Sequence, residues 1–572
     1  MRIKVLFILL LSLLFANITQ ANNEKTTVRV GISNQAFSSW DYRNIKLTSS
    51  DVVKIIAMKD ANAQEQPENI EPNKIIEVVL NEGLYNIYID GELKYEKLAS
   101  PLVFSSNSDL QILELNRKGT PARYKGMLEI KNSKTPNRFN LINVVDMENY
   151  LRGVVPNEMP VSFGQEALKA QAIAARNYAT NANIDSNYDV VDSTASQVYY
   201  GANSYRDISD KAVLETKGIY ALYNEKPITA LYFSTSAGIT DDWDDVFASN
   251  QNKGSHPYLK AKIDKQGQKF ITSEKDAIDF INSKNGLDTN SPKFRWNIEF
   301  ERRELEEILH TTLQQQSKAG LVTPKYDGDN KIEGLKEIKV LKRTKSSKVV
   351  ELLITAKTGE YKVSKELGIR RVLKKNNSML PSGNFYIETI GEETTETKVE
   401  EEEENNQSIA DKIGNLKLFS YINQETYPKT FKITGGGFGH GVGMSQFGAY
   451  NMAKIGKKYP QILHYYYTNI NLSTYPKTVY FNEWNVHYKT EFYFDKNTYK
   501  SAYLLISNPK NVTGFPFKIN NLDFNNTSSV VNNKLMKINI TQYLNNGMNL
   551  IDFAPLSKEN KGKTITYRVE LL

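Results

Sequence analysis

The chain has 572 residues and no cysteine, which excludes disulfides, thiolate metal sites and a Cys nucleophile together. Its stability must come from burial, and the length allows three or four domains. With 72 Lys and Arg against 65 Asp and Glu, the net charge of +7 is too small and too mixed for a nucleic-acid binder, so no nucleic-acid partner is expected.

In chain order, Arg2 and Lys4 precede an apolar run from Val5 to Ala16, and the small residue Ala21 follows polar Asn17 to Gln20. About a dozen apolar residues are too few to span a bilayer and fit a cleaved signal peptide at residues 1–21. No later run approaches the ~20 apolar residues of a membrane helix. The expectation is export to the periplasm or the cell wall and medium, with no integral membrane segment after cleavage.

Residues 26–115 read as an accessory β-domain. Val28 to Ile32, Ile75 to Leu80 and Tyr85 to Ile89 are β-branched or aromatic runs, and Asp90-Gly91 suits a hairpin turn. Strands and helices mix from 139 to 390. Leu141 to Val145 predicts a strand, and Ser162 with Gln165 forms a capping-box pattern opening an Ala-rich helix from Gly164 to about Ala182. A strand is expected at Ile228 to Phe233 and an amphipathic helix from Arg303 to about Gln315. Residues 391–408 include five consecutive glutamates, 400–404, whose repulsion predicts a disordered insert. Residues 430–475 hold a Gly-rich loop and further helices, and 479–572 predict a separate β-sandwich. The fold class is α+β, multidomain, with a mixed core between β-rich ends.

Glu158 stands alone among apolar residues in Leu-Arg-Gly-Val-Val-Pro-Asn-Glu-Met-Pro, 151–160. Pro156 and Pro160 predict a rigid loop here. Apolar surroundings would raise this carboxyl's pKa, as a general acid at neutral pH requires; the N-terminus of the next helix would lower it. The competing reading is a helix-capping glutamate. In that next helix, six alanines between Ala167 and Ala179 allow close approach of another segment. Gln171 and Tyr178 share a face, with Arg176 rotated away.

Gly435-Gly-Gly-Phe-Gly-His440-Gly-Val-Gly443 implies tight backbone and a close neighbour. It fits neither GxGxxG nor a GK[ST] ending, and Lys561-Gly-Lys-Thr564 has Ser557 where a Walker A loop needs glycine, so nucleotide binding is excluded. The five histidines form no HxxxH or HExxH pair, and no GxSxG elbow occurs. Neither metal nor cofactor is expected.

Two long segments resemble the stage II sporulation protein D/amidase-enhancer (SpoIID/LytB) family. One runs from Tyr150 through Glu158-Met-Pro to Arg176-Asn-Tyr178-Ala; the other from Gly437 through His440 and Ser445-Gln446 to Tyr450. Ser196-Gln197-Val198-Tyr199, Tyr232 to Thr240, Pro257-Tyr-Leu259 and Leu380-Pro-Ser382 lie between them in the family's order. The resemblance implies a peptidoglycan lytic transglycosylase acting on glycan strands stripped of stem peptides. In such an enzyme one glutamate, here Glu158, protonates the glycosidic oxygen and then takes the proton of the muramic C6 hydroxyl. A 1,6-anhydro ring closes, and no second carboxylate is needed. It further implies a substrate-binding role for Arg176, with Gln171, Tyr178, Gln197, Tyr199, Ser236, His440 and Gln446 lining the groove; His440 equally reads as holding the glycine loop together through hydrogen bonds. Sporulation-type members often carry a Cys/His zinc cluster where this chain has Val191 to Ser196, so no structural zinc is expected. The C-terminal strands resemble a galactose-binding-like sandwich, with Trp484, Tyr488 and Tyr493 as sugar-stacking or core residues.

Two other readings stay open. One is a non-catalytic wall protein that stimulates a partner N-acetylmuramoyl-L-alanine amidase. The other is a two-carboxylate glycan hydrolase pairing Glu158 with Asp241, Asp242, Asp244 or Asp245.

Overall fold

The computed structural model describes residues 25–60, 63–64, 68–249, 251–264, 268–398, 422–481, 486–507, 512, 516–524, 535–554 and 560–572. The signal segment 1–21 and Trp484 lie outside them. The fold is α+β, divided into two compact units: 1–231 with 449–572, and 232–448.

In the first unit, β1 (Thr27–Ile32) alternates half-buried and buried side chains before ending fully buried, the pattern of a strand with one face on a core. It pairs antiparallel with β2 (Phe139–Asp146), Thr27 opposite Asp146 and Ile32 opposite Leu141. Both belong to one sheet of 14 strands among the described residues. The division expected between 115 and 139 is therefore no break: the accessory strands and the start of the mixed core are one hydrogen-bonded sheet.

Asp146 ends β2 and caps α1 (Met147–Glu158), its carboxylate accepting from Asn149 N at 3.0 Å. The helix buries Tyr150, Leu151, Val154 and Val155, the i, i+1, i+4, i+5 stripe of an amphipathic helix. It runs through Pro156, so the loop expected around Glu158 is corrected. Only two helical residues follow the proline, so little of the ladder is forfeited. Asn157 Nδ2 also donates to Gly153 O at 2.6 Å, supporting this last turn.

α2 (Gln165–Asn181) buries twelve of its 17 residues. Alanine is the strongest helix former, and its small side chain lets neighbours close on nearly every side. The expected capping box is absent. Ser162 lies in a 3-10 turn, Val161–Phe163, and Gly164 is the N-cap at φ +86°, a conformation that favours glycine.

β3 (Ile219–Tyr223) pairs with Asn471–Thr474. That strand meets Thr564–Leu571, which also pairs with Ala502–Ser507. A second sheet holds Tyr488–Phe494, Gly547–Phe553, Phe517–Ile519 and Leu522–Phe524. The Phe553 and Tyr567 rings, one from each sheet, lie 4.3 Å apart. The expected self-contained sandwich at 479–572 is thus corrected: strands from 219–227 and 471–474 complete one of its sheets.

In the second unit, the helix Arg302–Lys318 buries Leu305, Leu309 and Leu313 completely. Its core includes Phe300, Phe385, Phe431 and Ile433. The strand expected at Ile228 to Phe233 shrinks to Tyr232–Phe233. Phe385–Lys398 pairs with Ile422–Gly435 out to Lys398 opposite Ile422. The first part of the expected disordered insert is therefore strand, consistent with its β-prone threonines; 399–421 lie outside the described residues. Among the described residues, no helix is long and apolar enough to cross a membrane.

Candidate functional site

Glu158 is the last residue of α1 and half-buried. Its Oε1 accepts a hydrogen bond from Val198 N at 2.6 Å. Its carboxylate acts on three phenols. Burial first, then Glu158, pushes Tyr150 well above the ordinary tyrosine range. Burial also raises Tyr178, a hydrogen bond with Ser196 opposing and Glu158 adding. Tyr200 is raised by burial, with Arg117 opposing and Asp192 and Glu158 adding. All three stay neutral hydroxyls at neutral pH, so the phenols within electrostatic reach of the carboxylate carry no charge of their own.

The segment holding Val198 is anchored on both sides. Tyr150 donates to Gln197 Oε1 at 2.9 Å. Tyr199 donates to Asn143 Oδ1 at 2.6 Å, and its ring lies 5.2 Å from that of Tyr150. A methyl at Gly153 would meet Tyr199 Cε2 at 2.5 Å, so only glycine lets the ring lie against α1. Tyr200 N donates to Gly153 O at 3.4 Å, and Asn157 Nδ2 to Ser204 Oγ at 2.8 Å.

Gln197 and Tyr199, expected to touch substrate, are buried supports for the Glu158 segment. Gln171 is fully buried in α2. Arg176 is corrected as well. It is fully buried and gives Nη2 to Glu148 Oε2 at 2.7 Å, Nε to Glu148 Oε1 at 3.2 Å and Nη1 to Ile219 O at 3.1 Å. A guanidinium so committed ties α1, α2 and β3 together; it neither reaches substrate in this state nor orients Glu158 directly. Tyr178 alone among the α2 residues is only half-buried and electrostatically coupled to Glu158.

The stretch where a zinc cluster was not expected holds Asp192, fully buried beside Arg117, Nη2 to Oδ2 at 3.0 Å. Among the described residues, no group of three or more His, Cys, Asp or Glu has metal-binding geometry.

The glycine loop lies in the second unit. Gly437, Gly439, Gly441 and Gly443 all have positive φ, from 83° to 109°. Phe438 exchanges backbone hydrogen bonds with Thr235 at 2.9 and 3.1 Å. His440 Nδ1 accepts from Val442 N and Nε2 donates to Tyr232 O, both at 3.1 Å. Burial, with Lys348 and Arg370 nearby, pushes its pKa down to about 3. The imidazole is therefore neutral, with the Nε2–H tautomer fixed by its partners. Both nitrogens staple the loop, so its chemistry here is structural.

Ser236 Oγ lies 2.7 Å from Asp264 Oδ2 and 2.9 Å from Asp288 Oδ2. Gln446 is mostly buried and starts the helix Gln446–Lys454. Of the aspartates weighed as a second carboxylate, Asp241 is fully buried, bonded to Thr344 Oγ1 at 2.7 Å and near Lys348. Burial holds it up at about 7. Asp242 pairs with Lys345 at 2.7 Å.

Sequence reasoning missed Glu148, Asn157 and the Val198 amide. Glu148 lies two residues before the recognised motif and Asn157 inside it; their partners Arg176 and Ser204 are 28 and 47 residues away, beyond what helical spacing can pair. A main-chain donor leaves no letter to read.

Fold and site together define an α+β protein that presents a glutamate from the end of a helix. Residues 135–223, the segment carrying β2, α1 and α2, match the family model described as stage II sporulation protein, and this segment is a SpoIID-type domain. Residues 245–401 match a model described only as a domain of unknown function. An amidase enhancer of Bacillus subtilis strain 168 is 32% identical over 332 residues, 57% of this chain and 40% of that protein. Stage II sporulation protein D of the same strain is 28% identical over 348 residues, 58% of this chain and 75% of that protein. An uncharacterized protein of Brachyspira hyodysenteriae is 27% identical over 340 residues, 59% of this chain and 68% of that one. This chain thus spans less than half the length of the amidase enhancer.

Proposed function

We propose that the chain is an exported peptidoglycan lytic transglycosylase with Glu158 as its single general acid and base. The observation that carries the reading is the placement of Glu158: half-buried at the end of α1 and held by the Val198 amide, inside the SpoIID segment. A fixed carboxyl within reach of solvent can give a proton to a glycosidic oxygen and recover one from the same sugar. The muramic C6 hydroxyl closes on C1 as the glycosidic bond breaks, so the lost proton returns to Glu158 and water is not consumed. Tyr178, beside the carboxylate, is the residue we assign to holding the sugar.

A second reading has one observation in its favour, the similarity to a protein named amidase enhancer. It makes the chain a wall-binding partner of a cell-wall amidase. The test is mass analysis of products from glycan strands freed of stem peptides, comparing wild type with Glu158→Gln. Anhydro-muramic ends from wild type alone support the transglycosylase. Reducing ends support a hydrolase. Intact strands that still bind both proteins, with amidase stimulation unchanged by the substitution, support the enhancer.

A further inference from the structure

We infer that the main-chain N–H of Val198 is a positioning donor for Glu158: it sets the orientation of the carboxyl and strengthens it as an acid. The inference rests on the catalytic reading of Glu158 and extends it to a group that no side chain supplies.

Four anchors place this amide. Gln197 is held by the Tyr150 hydroxyl. Tyr199 N donates to Asp192 O at 3.3 Å, and Asp192 is itself fixed by the buried Arg117. The Tyr199 ring is wedged against Gly153 and its hydroxyl bonded to Asn143. Tyr200 N returns to Gly153 O. The residue between these anchors has little freedom, and its N–H meets Oε1 at 2.6 Å, a close N–H···O approach.

The chemical consequence follows from which state the bond favours. An N–H can only donate, so it stabilises the carboxylate over the carboxylic acid. In the first half-reaction Glu158 gives its proton to the leaving oxygen and becomes the anion; the amide stabilises that product and lowers the cost of the transfer. In the second, the same bond keeps the carboxylate oriented while it accepts the C6 hydroxyl proton. Two opposed demands, giving then taking, are met by one carboxyl held in one place.

Val198→Pro removes the donor while tolerating an extended backbone; Val198→Ala keeps it and trims the side chain. With the donor gone, the alkaline limb of kcat/KM, which reports the protonated acid in free enzyme, should move up by about one pH unit, the size expected for one hydrogen bond to a charged group. Val198→Ala should leave it in place. Coincident limbs for wild type and Val198→Pro, with folding intact, overturn the inference. A proline variant that does not fold shifts the test to wild type. There the Val198 amide proton should titrate in step with the Glu158 carboxyl and stop titrating in Glu158→Gln; a Val198 resonance indifferent to pH in wild type overturns it. The NMR titration needs no turnover, so it stands apart from failure of the transglycosylase reading, which the product analysis reports.

Discussion

Gly153→Ala tests the wedge that fixes the Glu158 segment. The new methyl would sit 2.5 Å from Tyr199 Cε2, 2.8 Å from Cδ2 and 3.2 Å from Gly201 O. Unstrained carbon contacts lie near ~3.5–4.0 Å, so the ring must retreat by roughly an ångström. It has nowhere easy to go, with its hydroxyl on Asn143 and the Tyr150 ring 5.2 Å away. Such overpacking costs about 1–3 kcal/mol, and losing the tyrosine hydrogen bond adds about 1. Better helix propensity returns up to about 1. The net is a local destabilisation of about 1–3 kcal/mol, or roughly 5- to 150-fold faster amide exchange where exchange reports the opening equilibrium. Hydrogen exchange read by mass spectrometry on peptides covering 147–158 and 197–204 measures it. Combining the substitution with Tyr199→Leu should recover part of the loss, a coupling that additive sites would not show. Exchange as slow as wild type in Gly153→Ala would refute the wedge, and with it the anchoring of Val198 to α1.

Arg176→Met strands the Glu148 carboxylate and the Ile219 carbonyl; with Glu148 partly exposed, we expect a loss of about 2 kcal/mol. Glu148→Gln should act in the same direction. A KM effect with unchanged thermal stability would return Arg176 to the substrate. His440 should stay neutral, its imidazole 15N shifts flat from pH 8 to 4, because burial holds its pKa near 3. The unfolded chain, with an ordinary value near ~6.5, takes up that proton first. Unit 232–448 should therefore lose stability as pH falls from 6.5 towards 3, by up to about 1.4 kcal/mol per unit. Gly441→Ala should lower the melting temperature of that unit by several degrees. It forces a side chain into φ +83° and onto Lys348 Cε at 2.4 Å and Asp241 Oδ2 at 2.6 Å; an unchanged melt would show the loop is free to shift.

The patterning of side chains carried much of the fold. Alternation in Val28 to Ile32 and the leucine spacing after Arg303 each gave an element close to its final bounds, because burial of one face decides both. Glu158 stood out by its isolation among apolar neighbours. Partners distant in sequence could not be read. Arg176 finds Glu148, 28 residues away, because two helices cross; the periodicity of α2 gives its face and no more. The proline rule failed at Pro156 because it weighs the local ladder alone, and here Asn157 and the packed segment 197–204 support the turn. The glycine loop announced a close neighbour, and Lys348 and Asp241 are among those found against it. Its histidine reads either as a groove residue or as a staple of the loop, and only the hydrogen bonds to Tyr232 O and from Val442 N decide for the staple.

The sheet that β3 shares with Thr564–Leu571 has a consequence for how the molecule is made. Ser473 pairs with Glu570, while Ile219 pairs with Thr474. A strand near residue 220 thus waits, through one intermediary, for a strand more than 300 residues downstream. A ribosome must have passed residue 571 before that sheet can close, so the first unit cannot finish folding while only the strand near 220 has emerged. Any fragment ending before 564 leaves Asn471–Thr474 with an open edge and Ser473 Oγ without the Val569 carbonyl it reaches at 2.8 Å. Excising the glutamate-bearing segment alone would expose a sticky strand; a workable minimal protein has to keep Thr564–Leu571.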